Sequence, residues 1–314
     1  MKPCNSTVSR RGFLQTAAAV GGGFALAGNA SVSAAADAPA LPKVRFGKAD
    51  ITRLIIGSNP FYGYSHFNSV LDRHMREWYS QDRKMEVLRR CEQVGINTWQ
   101  VHYNDQPMQD IRRYRADGGK MNIVILGDFA MMKDLSIIAK AAKEVAPLGI
   151  GHHGNRTDER FRNGEMDKVR EFTKAVRDSG VMVGVSTHNP AVVDYIESKG
   201  WDVDYIMTCL YRVSRTPEEA RKEFGEAPLG ETFMEKDPER MCKTIRATRK
   251  PCLAFKVLGA GRNISSGAST EAAFRFALTN IKPTDAVIVG MFPEFRDEPK
   301  ENADLVRRIL SSAD

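Results

Sequence analysis

Seven polar side chains stand where strand-like runs of the sequence end, and their types suit acid–base or metal chemistry. Four of the six histidines of the chain are among them. Side chains alternate along a strand, so Gln100 and His102 share one face, whereas the adjacent His152 and His153 point to opposite sides. The seven candidate catalytic residues are Gln100, His102, Asp128, His152, His153, His188 and Lys256.

These groups predict one of two kinds of site. Neutral imidazoles with a carboxylate are ligands for Zn²⁺, Mn²⁺ or Fe²⁺, which need a set of such groups around one point. The expected metal ligands are His102, Asp128, His188 and either His152 or His153. The same side chains serve equally as general acid and base on a bound hydroxyl or carbonyl. In both cases Lys256 is available to neutralise an enolate-like intermediate.

The elements that would position these residues alternate between short apolar runs and amphipathic helical patterns. Eight such units with continuously apolar strands predict an α/β fold, a parallel sheet closed into a single (β/α)8 TIM barrel. No Gly-x-Gly-x-x-Gly follows the first strand, which disfavours an open, doubly wound sheet. The predicted strands are 53–57, 98–103, 122–127, 148–152, 181–186, 205–210, 252–257 and 286–290.

Two long connections follow the first and sixth predicted strands, at residues 58–82 and 212–236. In a barrel of this kind the carboxyl ends of all strands meet at one mouth, where active sites are built. The first connection is rich in aromatic side chains, which suits a lid that stacks on a sugar ring. The alternative is a satellite hydrophobic cluster that covers the barrel mouth.

The N-terminus predicts export of the folded protein. Residues 9–14, SRRGFL, precede a weakly apolar run, and Ala34 and Ala36 fit an A-x-A cleavage site. This pattern is typical of a twin-arginine signal peptide, here at 1–36, which the Tat export machinery would recognise. We therefore expect a periplasmic protein with a linker at 37–47 and the barrel at 48–314. No later stretch approaches about 18 consecutive apolar residues, so no stable membrane anchor is expected.

The charge balance argues against a nucleic-acid partner. The sequence has 46 Lys and Arg against 39 Asp and Glu. Removal of residues 1–36 takes away three basic and no acidic residues, which leaves 43 against 39, a net charge of +4. So small an excess gives no basic surface of the kind that binds nucleic acid, and we expect a small-molecule substrate.

Four cysteines follow the predicted signal peptide, and they show no metal-binding spacing. Cys91 and Cys209 lie in a helical and a strand pattern, which favours buried thiols. A disulfide between Cys242 and Cys252 would suit an oxidising compartment, but spacing alone leaves it open.

Five short motifs occur in an order and register that resemble a known group of proteins. They are Gly95-Ile96-Asn97, Gly184-Val185-Ser186-Thr187-His188, residues 250–262 (KPCLAFKVLGAGR), residues 287–291 (VIVGM) and Glu301-Asn302. Together they resemble the aldo-keto reductase superfamily over most of residues 43–314. The resemblance implies the same barrel, an oxidoreductase activity and a nicotinamide cofactor such as NADP. The cofactor residues that it implies are Ser186, Phe255, Arg262, Glu301 and Asn302.

The catalytic tetrad of that superfamily, an Asp, a Tyr, a Lys and a His, is matched only in its histidine. The Asp position falls on Gln100 and the Tyr position on Asp105. The Lys position falls near Asp128, and His152 or His153 stands for the histidine. Ordinary carbonyl reduction needs the tyrosine as proton donor, so this chain is expected to carry out different chemistry.

Three functions follow from these observations. The first is a metal-assisted isomerase, epimerase or lyase acting on a sugar-like or hydroxycarbonyl substrate. The second is an oxidoreductase with a tightly held NAD(P). The third is a periplasmic sugar-binding protein without catalytic activity.

Overall fold

The computed structural model describes residues 39–312. The predicted signal peptide at 1–36 and the first two residues of the predicted linker lie outside the described residues. Within the described range, no helix has the length and apolar character needed to cross a membrane.

An antiparallel hairpin precedes the barrel. Its strands are β1 (Lys43–Phe46) and β2 (Ala49–Thr52). Residues 43–46 of the segment predicted as a linker at 37–47 form β1, in which Phe46 is buried while Lys43 and Arg45 face solvent, an alternation typical of a half-buried strand. The Phe46 and Tyr205 ring centroids lie 4.9 Å apart, and Tyr205 begins a barrel strand, so the hairpin covers the amino-terminal end of the barrel.

The (β/α)8 barrel predicted from the sequence is confirmed. Eight parallel strands close in the order β10-β3-β4-β5-β6-β7-β8-β9. The strands are β3 (Leu54–Gly57), β4 (Thr98–His102), β5 (Asn122–Leu126), β6 (Gly149–His152), β7 (Met182–Thr187), β8 (Tyr205–Cys209), β9 (Cys252–Phe255) and β10 (Ala286–Gly290).

Twelve α-helices are formed by the described residues. They are α1 (Ser69–Trp78), α2 (Gln81–Gln93), α3 (Asp105–Ala116), α4 (Phe129–Lys133), α5 (Ser136–Val145), α6 (Gly154–Arg162), α7 (Met166–Asp178), α8 (Pro190–Ser198), α9 (Pro217–Phe224), α10 (Asp237–Ala247), α11 (Gly267–Asn280) and α12 (Glu298–Ser311). Helix α9 begins with a capping box, in which the Thr216 hydroxyl and the Glu219 carboxylate each accept a backbone N–H of the other residue, as the sequence motif predicts.

The strands bury two apolar layers. Ile55, Val124 and Leu253 point into the barrel, where they pack around Tyr205. A Cβ on Gly184 would collide with the Tyr205 ring, so this position must be glycine for the ring to fill the interior. The opposite faces of the strands pack against the helices in the larger core. The four cysteines of this region are all buried free thiols, as expected for Cys91 and Cys209, and Cys242 and Cys252 are not joined.

Candidate active site at the barrel mouth

A cleft of about 400 Å³ opens at the carboxyl ends of β3, β4, β9 and β10. Gly57, Gln100, Phe255 and Lys256 line it at the barrel mouth. Away from the barrel axis it is lined by loop residues after β3 and β10 and by helix α12. The cleft is of the size that holds small organic ligands.

Lys256 follows β9 directly and is the buried amine of this cleft. Its side chain is only 6% exposed, and its Nζ lies 3.9 Å from Oε2 of Glu231. The backbone of Lys256 is left-handed, with φ of 59°, a costly conformation for a residue with a Cβ that tends to occur at functional sites. Burial lowers the pKa of Lys256, and the nearby Cys209 and Glu231 offset only part of that effect.

Glu231 links the two long loops at the mouth. His66 Nδ1 lies 2.7 Å from Oε1 of Glu231, and Nε2 of the same ring lies 3.1 Å from Nδ2 of Asn59. Burial alone would raise the pKa of Glu231, but the hydrogen bond from His66 and the charges of Lys256 and His188 lower it overall. Glu231 is therefore a carboxylate held beside the Lys256 amine.

His188 is oriented by a fully buried carboxylate. Its Nδ1 lies 2.9 Å from Oδ2 of Asp158, which also accepts the His188 backbone N–H at 3.0 Å. The Thr187 hydroxyl donates to the other oxygen of Asp158. Burial opposes ionisation of Asp158, but the hydrogen bonds from His188 and Thr187 lower the pKa of this carboxyl. The His188 ring packs edge-on against Phe255, with centroids 5.6 Å apart, so it stands next to the wall of the cleft.

Two further histidines stand near the mouth in their neutral form. Burial lowers the pKa of His102 to about 4, and Lys84 adds to the effect. Burial also lowers the pKa of His153 to about 4, with contributions from His188 and His102. His153 Nδ1 is buried without a hydrogen-bond partner among the described residues.

The predicted metal-ligand set is not assembled. Residues 39–312 contain no group of three or more His, Cys, Asp or Glu side chains placed to share one ion. His152 faces the helices, with Nδ1 2.7 Å from the Thr157 hydroxyl and its ring 5.0 Å from that of Phe172. Asp128 instead caps α4, where its Oδ1 accepts the Met131 N–H at 3.0 Å. Alternation turns His152 toward the helices, which leaves His153 as the other alternative, and Asp128 binds a backbone N–H group because it stands at a helix start.

A buried Tyr, Lys and Asp meet at positions that do not correspond to the tetrad positions described above. Lys84 Nζ and the Tyr62 hydroxyl lie 2.8 and 3.0 Å from Oδ2 of Asp110. The Lys84 and Asp110 side chains are each 2% exposed. The Tyr62 ring lies edge-on to His102, with centroids 4.9 Å apart. This cluster ties α2 and α3 to the loop after β3.

The residues implied as cofactor ligands divide into two groups. Phe255 and Asn302 line the cleft, and Ser186 lies buried with its hydroxyl unpartnered in the described structure. Arg262 instead stacks over Phe233 at 3.8 Å and donates to the His66 carbonyl at 3.2 Å. Glu301 pairs with Arg296 at 3.3 Å. The cofactor assignment stays a prediction, with three residues toward the mouth and two engaged elsewhere.

The aromatic connection after β3 has a buried part and an exposed part. Phe61 and Tyr79 are buried and pack together, with centroids 4.7 Å apart. Tyr64 and Phe67 are 48% and 53% exposed, and Tyr64 lines the cleft. The inner part is therefore a hydrophobic cluster, and the outer part borders the site.

Glu231, His66 and Asp158 belong to the site in the structure but are not among the site residues predicted from the sequence. Glu231 and His66 lie in long loops without a periodic pattern, so only the folded chain shows that they meet. Asp158 stands about one and a half helical turns after the His152-His153 pair. That spacing does not predict its contact with His188, which follows the next strand.

Comparisons with known proteins give the fold. No protein-family model and no curated protein matches the sequence. A candidate 2,5-diketo-D-gluconic acid reductase B is similar in structure, with 10% identity, a TM-score of 0.52, and coverage of 86% of this chain and 91% of that one. An aldo-keto reductase from Bacillus halodurans in its holo form has 12% identity, a TM-score of 0.50, and coverage of 87% and 96%. The chain thus shares its barrel fold with solved aldo-keto reductase structures.

Proposed function

We propose that this protein is an enzyme that moves a proton on a small, sugar-like hydroxycarbonyl substrate, as an isomerase, epimerase or lyase does. The observation that carries the proposal is Lys256, a buried amine with a lowered pKa and a left-handed backbone, which lines the cleft beside Glu231. Enzymes obtain an amine base near neutral pH by such burial.

The proposed step starts with neutral Lys256. The amine takes a proton from the carbon next to the substrate carbonyl, and the electrons of that C–H bond move to give an enolate oxygen. The resulting ammonium faces Glu231 and neutralises the developing charge. For an isomer, the proton of the neighbouring hydroxyl passes to the enolate oxygen, a carbonyl forms at the neighbouring carbon, and the ammonium, after exchange with solvent, gives a proton to the former carbonyl carbon. Return of a proton to the original carbon from its other face gives an epimer. In an elimination the carbonyl forms again as a leaving group departs from the next carbon and takes the proton of the ammonium.

Gln100 is the proposed partner of the substrate oxygen. It is 7% exposed and lines the cleft. Its side-chain amide supplies two N–H donors, and a donor aimed at an oxygen where charge develops stabilises the transition state. No step in this scheme requires the four-ligand metal set predicted from the sequence.

The test is a panel of polyhydroxy aldehydes and ketones incubated with purified protein and EDTA, without nicotinamide. Chromatographic detection of isomers, epimers or elimination products is the expected result. Conversion that stops in EDTA and returns with Zn²⁺, Mn²⁺ or Fe²⁺ would support the metal-assisted scheme instead. Binding without any conversion across the panel would support the sugar-binding protein.

A nicotinamide-dependent oxidoreductase is the second candidate. Phe255 and Asn302 line the same cleft, and the Ser186 hydroxyl is buried without a hydrogen-bond partner among the described residues. Solved structures that share this fold include the two reductases described above. Enhanced NADPH fluorescence on mixing, together with a substrate-dependent loss of NADPH absorbance, would favour this candidate. Absence of any thermal shift with NAD(P)H would remove it.

We also propose that the enzyme acts in the periplasm after twin-arginine export, from Arg10, Arg11 and the A-x-A sequence ending at Ala36. Fractionation of cells that express the full chain is the test. Retention in the cytoplasm of an Arg10→Lys, Arg11→Lys variant, with periplasmic recovery of the unchanged protein, is expected. Equal distribution of both would contradict it.

A further inference from the structure

Three loops at the barrel mouth meet at the guanidinium of Arg262, which follows β9. This group lies over the Phe233 ring, 3.8 Å from its centroid, and over the Phe67 ring, 5.2 Å from its centroid. Its Nη1 also donates to the His66 carbonyl at 3.2 Å. Phe233 belongs to the loop after β8, whereas His66 and Phe67 belong to the loop after β3. A planar guanidinium suits this junction, because its face contacts rings while its edge donates hydrogen bonds.

The loop after β8 is tied down at both ends. The Arg215 guanidinium donates to the two oxygens of the Asp237 carboxylate at 2.7 and 2.6 Å, and both side chains are almost fully buried. Between α9 and Glu231, in contrast, residues 226–230 form no hydrogen bond or ion pair with any part of the described range 39–312. Leu229 in this segment is fully exposed. A segment with so few contacts opens at low cost.

Two side chains hold the rest of this loop against the site. Oε1 of Glu231 lies 2.7 Å from His66 Nδ1, and its Oε2 lies 3.9 Å from Lys256 Nζ. Phe233, two residues further on, contacts Arg262. In this arrangement the Lys256 side chain is 6% exposed. A base must come within hydrogen-bond reach of the proton that it removes, so the substrate has to approach Lys256 more closely than this closed arrangement allows.

We infer that residues 225–234 form a lid over Lys256, closed in this structure, and that Arg262 is the positioning residue that holds it closed. This inference rests on the proposed function only in treating Lys256 as the reacting group. Opening moves Glu231 away from the amine, while the buried ion pair keeps the two ends of the loop in place. Closure returns Glu231, so the carboxylate that faces the Lys256 ammonium is supplied by the lid.

Chemical labelling of Lys256 measures access to the amine without any substrate. Trinitrobenzenesulfonate, which attacks neutral amines and carries a bulky ring, is added to the full chain, and labelling of each lysine is followed by peptide mass spectrometry. Labelling through a minor open state has a rate proportional to the population of that state. Neither Arg262→Met nor Arg262→Lys restores the planar group. Both variants are expected to label at Lys256 at least about tenfold faster, which corresponds to about 1.4 kcal/mol in favour of opening.

The direction of the change separates access from basicity. Burial lowers the pKa of Lys256, and the charge of Arg262 lowers it further, so loss of that charge in Arg262→Met leaves less neutral amine and by itself slows labelling. Faster labelling in this variant therefore reports an opened lid. Lys174, whose side chain is 77% exposed, is the reference lysine in each sample. The matched control is Arg246→Met, because Arg246 donates to the carbonyl of Asn280, the last residue of α11, at 2.7 Å.

Unchanged or slower labelling of Lys256 in both Arg262 variants would overturn the inference. So would labelling of Lys256 in the unchanged protein as fast as that of Lys174. Lys84, whose side chain is 2% exposed, stays slow when only the lid opens, and an equal rise at Lys84 would show general loss of structure and contradict a local lid. The proposed chemistry is judged separately, since turnover that survives Lys256→Met contradicts proton transfer and leaves the labelling result as it is.

Discussion

At the scale of single residues, the site depends on the Lys256 amine and the Glu231 carboxylate, which lie 3.9 Å apart. Lys256 loses solvation through burial, and Glu231 is kept ionised by His66 and by Lys256 itself. The two effects oppose each other at the amine, because burial favours its neutral form and the carboxylate favours its charged form. Changing either residue should therefore alter both rate and pH dependence.

Replacement of the amine tests its role as the base. Lys256→Met is expected to lower kcat at least about 100-fold, the usual contribution of a positioned base. The control is Lys250→Met, because Lys250 stands before the same strand and donates to the Val203 carbonyl at 2.7 Å, away from the mouth. Similar kcat values for the two variants, with circular dichroism spectra unchanged, would contradict the assignment.

Removal of the neighbouring carboxylate should move the pH profile. Glu231 raises the pKa of Lys256, so Glu231→Gln lowers that pKa and makes the neutral amine available at lower pH. The acidic limb of log kcat/KM against pH should therefore shift to lower pH. A shift to higher pH, or none, would show that the titrating base is a different group.

Sequence reasoning placed the strand-end residues but not their directions. Gln100, Lys256 and Phe255 reach the cleft because strand ends meet at one mouth. His152 binds the Thr157 hydroxyl and Asp128 binds the Met131 N–H, which depends on the face of a side chain and on a local backbone hydrogen bond. Residue types alone cannot fix those two choices.

At the scale of elements, the loop after β3 is held by a buried ion pair. Lys84 on α2 and Asp110 on α3 meet at 2.8 Å, and Tyr62 in the loop donates to the same carboxylate. Because the loop also carries His66 and Tyr64, this ion pair supports one side of the cleft. Breaking a buried pair is costly, since one charge remains without a partner.

Single and double variants test that support. Lys84→Met is expected to lower the free energy of unfolding by about 3–5 kcal/mol, because Asp110 keeps a buried charge. The double variant Lys84→Met, Asp110→Asn removes both charges, keeps an acceptor for Tyr62 and should recover much of the loss. Urea denaturation measures both. A single-variant loss of under about 1 kcal/mol would mean that the pair is effectively solvated.

Elements were easier to predict than contacts between them. The eight barrel strands and most helices follow from apolar runs and helical periodicity, which depend on neighbours in sequence. Helix α1 and the short helices α4 and α6 lie in segments predicted as connections or strand ends, where aromatic and polar residues obscure the periodicity. The contact of His66 with Glu231 joins positions far apart in the chain, and no local pattern records it.

At the scale of the whole molecule, buried neutral histidines should make stability depend on pH. Burial lowers the pKa of His152 to about 3, with His153 adding to the effect, and those of His102 and His153 to about 4. The unfolded chain binds these protons near pH 6.5, where the folded chain does not. The free energy of unfolding is therefore not reduced by these histidines above about pH 6.5, and it falls as the pH drops toward their folded pKa values.

The free energy of unfolding should fall by about 1 kcal/mol or more per histidine between pH 7 and pH 5. His152→Gln should give a shallower dependence on pH than the unchanged protein, whatever its effect at neutral pH. Urea denaturation at several pH values measures the slope. An unchanged slope in His152→Gln would contradict the buried neutral state of this ring.

Solvent exchange tests proton transfer by Lys256 most directly. Hydroxycarbonyl substrates that the protein converts are incubated in D₂O with EDTA, and deuterium at the carbon next to the carbonyl is followed by NMR. We expect deuterium at that carbon with the unchanged protein and with Lys250→Met, and loss of exchange in Lys256→Met. Product formation without solvent deuterium, or exchange that persists in Lys256→Met, would contradict it.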